Sequence, residues 1–364
     1  MAGPRAKDGI LDMPAYVGGR HSIDGVAETF KMSANENPLG ASPLALAALQ
    51  QPGDPSLYPD GEAAQLRAAL AELNGLKAEQ IVCGNGSDEI LHLLAQAYLQ
   101  SGDEILHTQH AFLIYKLASR AAGAQPIEVA ETDLTANVDA LLAAVSEKTK
   151  IVFLANPNNP TGTMISADEV TRLHAGLPDD VLLLLDGAYA EYVDPAVYPA
   201  GFDMVEAHDN VVVTRTFSKA YGLAALRLGW GYCPPAIADV LNRLRGPFNV
   251  NQLALQAGLE ALKDQAHIAD SRAHNHQWRD WLVQQIGGLG LTVRTTQANF
   301  ILVSFDSPQT AAAAEEFMCA QGVIPRGLVA YGLPTSLRLS VGTEAGNRAA
   351  VAALQAFVAR GGNE

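Results

Sequence analysis

Through the middle of the chain, short unbroken apolar runs alternate with amphipathic stretches. The runs are QIVCG (80–84), DEILH (103–107), QPIEVA (125–130), KIVFLAN (150–156), VLLLLD (181–186) and NVVVTRTF (210–217). Apolar character without alternation marks strands buried on both faces, as a parallel sheet covered by helices requires. Between them, helical spacing predicts SDEILHLLAQAYL (87–99), VDALLAAVS (138–146) and SADEVTRLHAGL (166–177). The last opens with Ser166 and Glu169 in capping-box spacing.

The pattern changes after GPFNVN (246–251), where Gly and Pro interrupt it. A long helical segment runs from Asn251 to Ile286, followed by the shorter strands LTVRTT (291–296), NFILVSF (299–305) and SLRLSVG (336–342). The helix TAAAAEEFMCAQG (310–322) lies between the last two. The expected fold is α/β: a large domain over 40–245 with a mostly parallel central sheet flanked by helices, and a smaller α+β domain over 246–364 that includes the linking helix. Residues 1–39, with Pro14, Gly18 and Gly19, read as an N-terminal arm and part of the small domain.

Composition narrows the function classes. A net charge of −15, from 24 basic and 39 acidic residues, disfavours nucleic acid as a partner. Any anionic ligand must then be held by a local concentration of cations and amide donors. No stretch reaches the ~18 apolar residues of a membrane helix, and the N-terminus lacks the apolar core of a signal peptide. A cytoplasmic protein without membrane contact is expected. Cys83, Cys233 and Cys319 are widely spaced and form no CxxC pair, which suits reduced thiols and no metal site. His267, His274 and His276 read as a solvated helix face, since 274 and 276 do not share a face at helical spacing.

Chemistry concentrates at strand ends. In CGNGSDE (83–89) the amides of Gly86, Ser87 and Asp88 open a helix, where a phosphate is well met. Glu89 stands where a dinucleotide fingerprint has its third glycine, and no GK[ST] follows. LANPNNPTG (154–162) supplies the amides of Asn158 and Asn159. Asp186 ends a run of five aliphatic residues, a costly place for a carboxylate unless a cation or donors meet it. Tyr189 follows three residues later. Lys219 lies in TFSKAYGLAALRLG (216–229) among hydroxyls and small apolar residues, with Arg227 eight positions on. Apolar surroundings shift a lysine toward its neutral, nucleophilic form. A phosphate cradle, a strand-end carboxylate, an Asn before Pro-Thr-Gly, a tyrosine and a lysine beside Ser218 together describe a site for pyridoxal 5′-phosphate (PLP).

The motifs NENPLG (35–40), YPDG (58–61), GNGSDE (84–89), NPNNPTG (156–162), DGAY (186–189), TFSKAYGLAALRLG (216–229) and LRLSVG (337–342) resemble those of fold-type-I PLP-dependent aminotransferases. The nearest resemblance is to the histidinol-phosphate aminotransferase subfamily and covers almost the whole chain. It implies that Lys219 attaches PLP covalently and, once freed by substrate, serves as general base and acid. Asp186 would pair with the pyridine nitrogen, while Tyr189 and Asn159 would bind the ring oxygen. Gly86, Ser87, Asp88, Thr216, Ser218 and Arg227 would hold the phosphate, joined by Tyr58 from the other subunit of a homodimer. Phe112 would stack on the ring, with Tyr115 as the alternative platform.

The same resemblance assigns substrate contacts to Tyr16, Asn37, Gly40, Arg326 and Arg338. Two arginines suit a phosphate dianion better than a carboxylate, so histidinol phosphate, with glutamate and 2-oxoglutarate as the amino-exchange pair, is the expected chemistry. The apolar loop GLVAYGLPTSL (327–337) makes an aromatic amino-acid aminotransferase the runner-up. A threonine-phosphate decarboxylase is a more distant reading, and a non-catalytic PLP-binding regulator is disfavoured because too few residues precede the first motif for a winged helix.

Overall fold

The computed structural model describes residues 3–4, 6–7, 9–11, 13, 18–20, 22–23, 29–51, 53–199 and 201–361. Strand β1 (Phe30–Lys31) precedes seven that form the main sheet: β2 (Ile81–Gly84), β3 (Glu104–Thr108), β4 (Gln125–Val129), β5 (Thr149–Ala155), β6 (Leu182–Asp186), β7 (Val211–Thr216) and β8 (Gly229–Tyr232). Their order is β2-β8-β7-β6-β5-β3-β4. Every residue of β6 and β7 is buried. Successive residues face opposite sides: Leu183, Leu185, Val211 and Val213 enter one core, while Leu182, Leu184 and Val212 enter the other. That double burial is why these strands are apolar without alternation.

Strand β8 is absent from the apolar runs of the sequence. It is inserted antiparallel between β7 and β2. Its sequence GWGY hides it, because glycine carries no hydrophobic signal and is unfavourable in strands. The glycines have a packing reason. A Cβ on Gly229 would fall 2.1 Å from the Ser87 amide nitrogen, and one on Gly231 would fall 3.1 Å from Ile90 Cγ2. Bare backbone here lets the helix Ser87–Tyr98 lie against the strand.

The later strands are β9 (Thr292–Arg294), β10 (Phe300–Ser304), β11 (Val323–Ile324), β12 (Arg326–Gly327) and β13 (Ser336–Ser340). Four of them form an antiparallel sheet in the order β12-β13-β10-β9. A core containing Met32, Leu282, Ile301, Met318, Leu339 and Leu354 joins it to the helices Gln265–Gly287, Pro308–Ala320 and Glu344–Val358. Strand β1 pairs in parallel with β11 and so ties the residue 30 region to this end of the chain.

Two expectations need correction. The long helical segment is two helices, Gln252–Lys263 and Gln265–Gly287, broken at Asp264 (φ −101°, ψ 66°). The Asp264 carboxylate accepts from the His267 amide at 3.1 Å, capping the second helix as it starts. His267, His274 and His276 are half-buried struts, not a solvated face. Their Nε2 atoms reach the carbonyls of Gly40, Gly342 and Tyr192 at 3.0, 2.9 and 2.9 Å. Ser166 caps its helix as expected, accepting from the Glu169 amide at 3.3 Å. Among the described residues, no helix is long and apolar enough to cross a membrane.

Candidate active site

The carboxyl ends of β5, β6 and β7 open onto a cavity of about 250 Å³. Ligands in open α/β sheets bind at this edge, because helix N-termini and loop amides converge there.

Asp186, the last residue of β6, lies on the cavity wall and is 5% exposed. Its Oδ2 accepts from the Tyr115 hydroxyl at 2.7 Å. Its Oδ1 accepts from the Ala188 amide at 3.2 Å and the Thr214 hydroxyl at 3.3 Å. Burial pushes the carboxyl pKa above its ordinary value, and the Tyr115 hydrogen bond acts against that rise. A carboxylate has about four acceptor positions, so three filled ones leave one for a donor in the cavity.

Lys219 follows β7 and is half-buried. Its Nζ lies 5.8 Å from the Tyr189 ring centroid and donates to the Ala34 carbonyl at 3.1 Å. Burial, and then the Arg338 guanidinium, lower its pKa to about 8. The lysine is thereby held toward the form that attacks carbonyls. Burial pushes the Tyr189 phenol up to about 12. Its hydroxyl accepts from Asn35 Nδ2 at 2.9 Å.

At the other end of the cavity, Gly86 (φ 83°) turns the chain into the helix Ser87–Tyr98. A Cβ on Gly86 would fall 2.5 Å from Arg227 Nη2. Arg227 donates through Nη1 to Ser218 Oγ at 3.3 Å and through Nη2 to Asp88 Oδ2 at 3.2 Å. The Ser218 amide donates to Thr216 Oγ1 at 3.1 Å. A helix N-terminus, a guanidinium paired with Asp88 and two hydroxyls thus meet at one point, an arrangement of the kind that suits an anion.

Phe112 and Tyr115 both line the cavity. One face of the Tyr115 ring is taken up by Phe153, stacked at 4.8 Å with an interplanar angle of 14°, whereas Phe112 is only partly buried.

The structure gathers Ser87, Asp88, Phe112, Asn159, Asp186 and Tyr189 on this wall, with Thr216, Ser218, Lys219 and Arg227. Gly86 makes the turn into the helix Ser87–Tyr98 beside it. Tyr16 lies outside the described residues. None of the four described substrate contacts expected from the sequence, Asn37, Gly40, Arg326 and Arg338, is on the cavity wall. Asn37 is buried, and its Nδ2 donates to the Ala220 carbonyl at 2.8 Å and to Ser271 Oγ at 2.9 Å. Gly40 presses its carbonyl on Gly222, where a Cβ would come within 2.1 Å of that oxygen. Both residues brace the segment beside Lys219. Tyr58 is 82% exposed and stacks on Phe248 at 4.6 Å, outside the wall.

Arg338 on β13 is buried and donates through Nη1 to Asn159 Oδ1 and through Nη2 to the Ser33 carbonyl. Arg326 on β12 is its cross-strand partner, so the two side chains leave the same sheet face. Arg326 lines a second cavity of about 710 Å³. The loop beside it has its own reason to be apolar. Leu328 and Tyr331 are buried with Leu302, and Leu333 packs on them.

The sequence reading missed three contributors. Tyr115 and Thr214 bind Asp186. Asn35, at φ 57°, orients Tyr189 while its own side chain accepts from Ser340 Oγ at 2.9 Å. Asn35 lies inside NENPLG, and asparagine tolerates left-handed backbone, so the motif held a signal for it. Nothing local links Tyr115 to Asp186.

The family model for aminotransferase class I and II matches residues 27–354. A histidinol-phosphate aminotransferase of Dinoroseobacter shibae is 50% identical over 353 residues, covering 97% of each chain. One from Paramagnetospirillum magneticum is 51% identical over 361 residues, covering 98% of this chain and 99% of the relative. Among solved structures, the histidinol-phosphate aminotransferase of Sinorhizobium meliloti in complex with pyridoxal 5′-phosphate superposes with a TM-score of 0.87 at 27% identity, covering 92% of each chain. The chain belongs to the aminotransferase class I and II family.

Proposed function

We propose that this chain is a PLP-dependent aminotransferase that exchanges an amino group between histidinol phosphate and its keto form, imidazole acetol phosphate, with glutamate and 2-oxoglutarate as the exchange pair. The observation that carries the reading is one cavity holding a lysine poised near neutrality and a buried carboxylate with one acceptor position left. Two relatives of about half-identical sequence bear the histidinol-phosphate name.

The residues fit PLP at both ends. The amides of Ser87 and Asp88, with Thr216, Ser218 and Arg227, would hold its phosphate. The Gly229 position, where any Cβ would strike the Ser87 amide, keeps that cradle open. Asp186 would hold the ring nitrogen, Tyr189 and Asn159 the ring oxygen, and Phe112 the ring face. When bound, PLP supplies an electron-withdrawing ring that stabilises negative charge on the substrate carbon.

The chain's own groups do the remaining work. Asp186 keeps a negative charge at the cavity floor, and its three donors offset the cost of burying it. Lys219, as a neutral amine, would act as the base that removes the proton from the substrate carbon and, once protonated, as the acid that returns one. Burial lowers its pKa to about 8, close to the operating pH where such a base works best. Tyr189 would donate its hydroxyl to the ring oxygen, and Asn35 orients Tyr189.

Substrate choice rests on the Arg326–Arg338 pair, whose juxtaposition favours a shared dianion. Leu328, Tyr331 and Leu333 of the loop are committed to packing, while Val329 and Ala330 line the cavity beside Arg326 and are the loop's remaining support for the aromatic alternative. The protein acts as a homodimer in this reading. Tyr58, exposed beside Phe248 and Leu57, would reach the partner's phosphate site.

The test is kcat/KM for histidinol phosphate, phenylalanine and tyrosine with 2-oxoglutarate, in wild type and Arg326→Ala. Charge-assisted hydrogen bonds are worth roughly 1.5–3 kcal/mol. The variant should therefore lose about ten- to a hundredfold with histidinol phosphate and far less with phenylalanine. Equal losses would remove Arg326 from phosphate recognition, and a wild-type preference for phenylalanine would refute the substrate assignment.

A further inference from the structure

We infer that Tyr115 is a positioning residue for the reaction: its hydroxyl locks one oxygen of Asp186 and keeps that carboxylate charged and aimed at the cofactor. The inference rests on the PLP reading above, but not on the choice of substrate.

The helix Leu113–Ala122 carries Tyr115 into the space behind the end of β6. The residue is fully buried, and its ring is sandwiched onto Phe153 of β5. Phe112 meets its edge at 5.9 Å and 89°. Gripped by these rings, the phenol has one direction left for its hydroxyl, toward Asp186 Oδ2 at 2.7 Å. The contact is the shortest of the three that Asp186 receives, and the other two, at 3.2 and 3.3 Å, both fall on Oδ1. Oδ2 therefore has this hydroxyl alone among its donors in the described residues. With both oxygens engaged, the carboxylate plane cannot rotate without breaking a hydrogen bond.

The donor also decides charge. A carboxyl this deeply buried tends to take up a proton, and a hydrogen bond to its ionised form opposes that. The nearby charged groups do not substitute for it. Asp88 pushes the Asp186 pKa up, and its own carboxylate faces Arg227. The buried Tyr189 phenol stays neutral at ordinary pH, at about 12. Without the Tyr115 hydroxyl, Asp186 becomes more basic. It then competes for the proton on the ring nitrogen, and in the free protein it offers a neutral acid where a charge is required.

Tyr115→Phe keeps the ring and removes the hydroxyl. Three measurements test it: the dissociation constant for PLP of the apoprotein, the pH midpoint of the bound cofactor's absorbance change, and the melting temperature. PLP should bind about tenfold more weakly, the equivalent of roughly 1.4 kcal/mol. The absorbance midpoint should rise by about one unit, because a less protonated ring withdraws fewer electrons. 3-Fluorotyrosine at position 115 is a more acidic donor and should move the midpoint down. In an Asp186→Asn background, Tyr115→Phe should weaken PLP binding little further.

A variant with unchanged PLP affinity and midpoint would overturn the inference, even if it melts earlier. So would losses that multiply fully in the double variant, since Tyr115 would then act apart from Asp186. Failure of the wild-type protein to bind PLP would instead refute the proposed cofactor.

Discussion

Gly229 offers the sharpest test of how the phosphate cradle is built. An alanine there would place its Cβ 2.1 Å from the Ser87 amide nitrogen, 2.5 Å from the Gly86 carbonyl carbon and 2.8 Å from Ser87 Cα. All three are main-chain atoms, so no rotamer change relieves the clash. The turn into the helix must move, or β8 must. Overpacking costs about 1–3 kcal/mol, and a backbone obstacle belongs at the upper end. Restricting the unfolded chain returns about 0.4–1 kcal/mol, leaving a net loss of roughly 2 kcal/mol. Gly231→Ala is the matched control two residues along the same strand face. Its nearest neighbours are the side-chain atoms Ile90 Cγ2 at 3.1 Å and Cys233 Sγ at 3.5 Å, which can yield. The unfolded-state gain is the same for both. Calorimetry of the apoproteins should place Gly229→Ala on the order of 5 °C below Gly231→Ala. PLP titration should show the Gly229 variant at least about tenfold weaker, because the displaced amides are those proposed to meet the phosphate. If the two variants match in both melting temperature and PLP affinity, the close approach of β8 to the Gly86–Ser87 turn is not what shapes the cradle.

Three further outcomes are expected. Borohydride reduction of the PLP-loaded protein should fix the label on the peptide holding Lys219, and a label on another lysine would refute its role. In the apoprotein, competitive acetylation of Lys219 should rise through about pH 8, since the neutral amine reacts and it forms above the pKa. Because the unfolded lysine keeps its proton up to its ordinary value of 10.5, this residue's contribution to stability grows as pH rises from about 8 toward 10.5. Arg338→Gln should move the acetylation midpoint upward by removing a repelling cation, and a wild-type midpoint near 10.5 would contradict the burial argument. Mixing inactive Lys219→Ala chains with inactive Tyr58→Ala chains should restore part of the activity through hybrid sites, whereas an active monomer in sedimentation would exclude a shared site.

Sequence alone determined what depends on residues near one another in the chain. Unbroken apolar runs revealed β2, β3 and β5 to β7, because burial on both faces leaves a one-dimensional trace, while the edge strand β4 exposes Gln125 and Glu128 and shows it less clearly. The Gly86–Ser87–Asp88 turn, the Asp186 strand end and the Lys219 loop were legible because each is a contiguous stretch whose chemistry is local. The glycine-rich β8 was not legible, since the reason for its glycines is a helix more than a hundred residues earlier. The helix break at Asp264 turns on a single capping carboxylate inside an otherwise helical pattern. Tertiary structure alone decided that Tyr115 holds Asp186 from 71 positions away. It alone set Asn35 on Tyr189 across 154 positions, and Arg326 opposite Arg338 through strand register. It also gave Asn37 and Gly40, expected as substrate contacts, bracing contacts beside Lys219. Motif spacing records which residues share a loop. Which side chains share a proton, a charge or a surface depends on how the layers stack, and no periodicity along the chain carries that information.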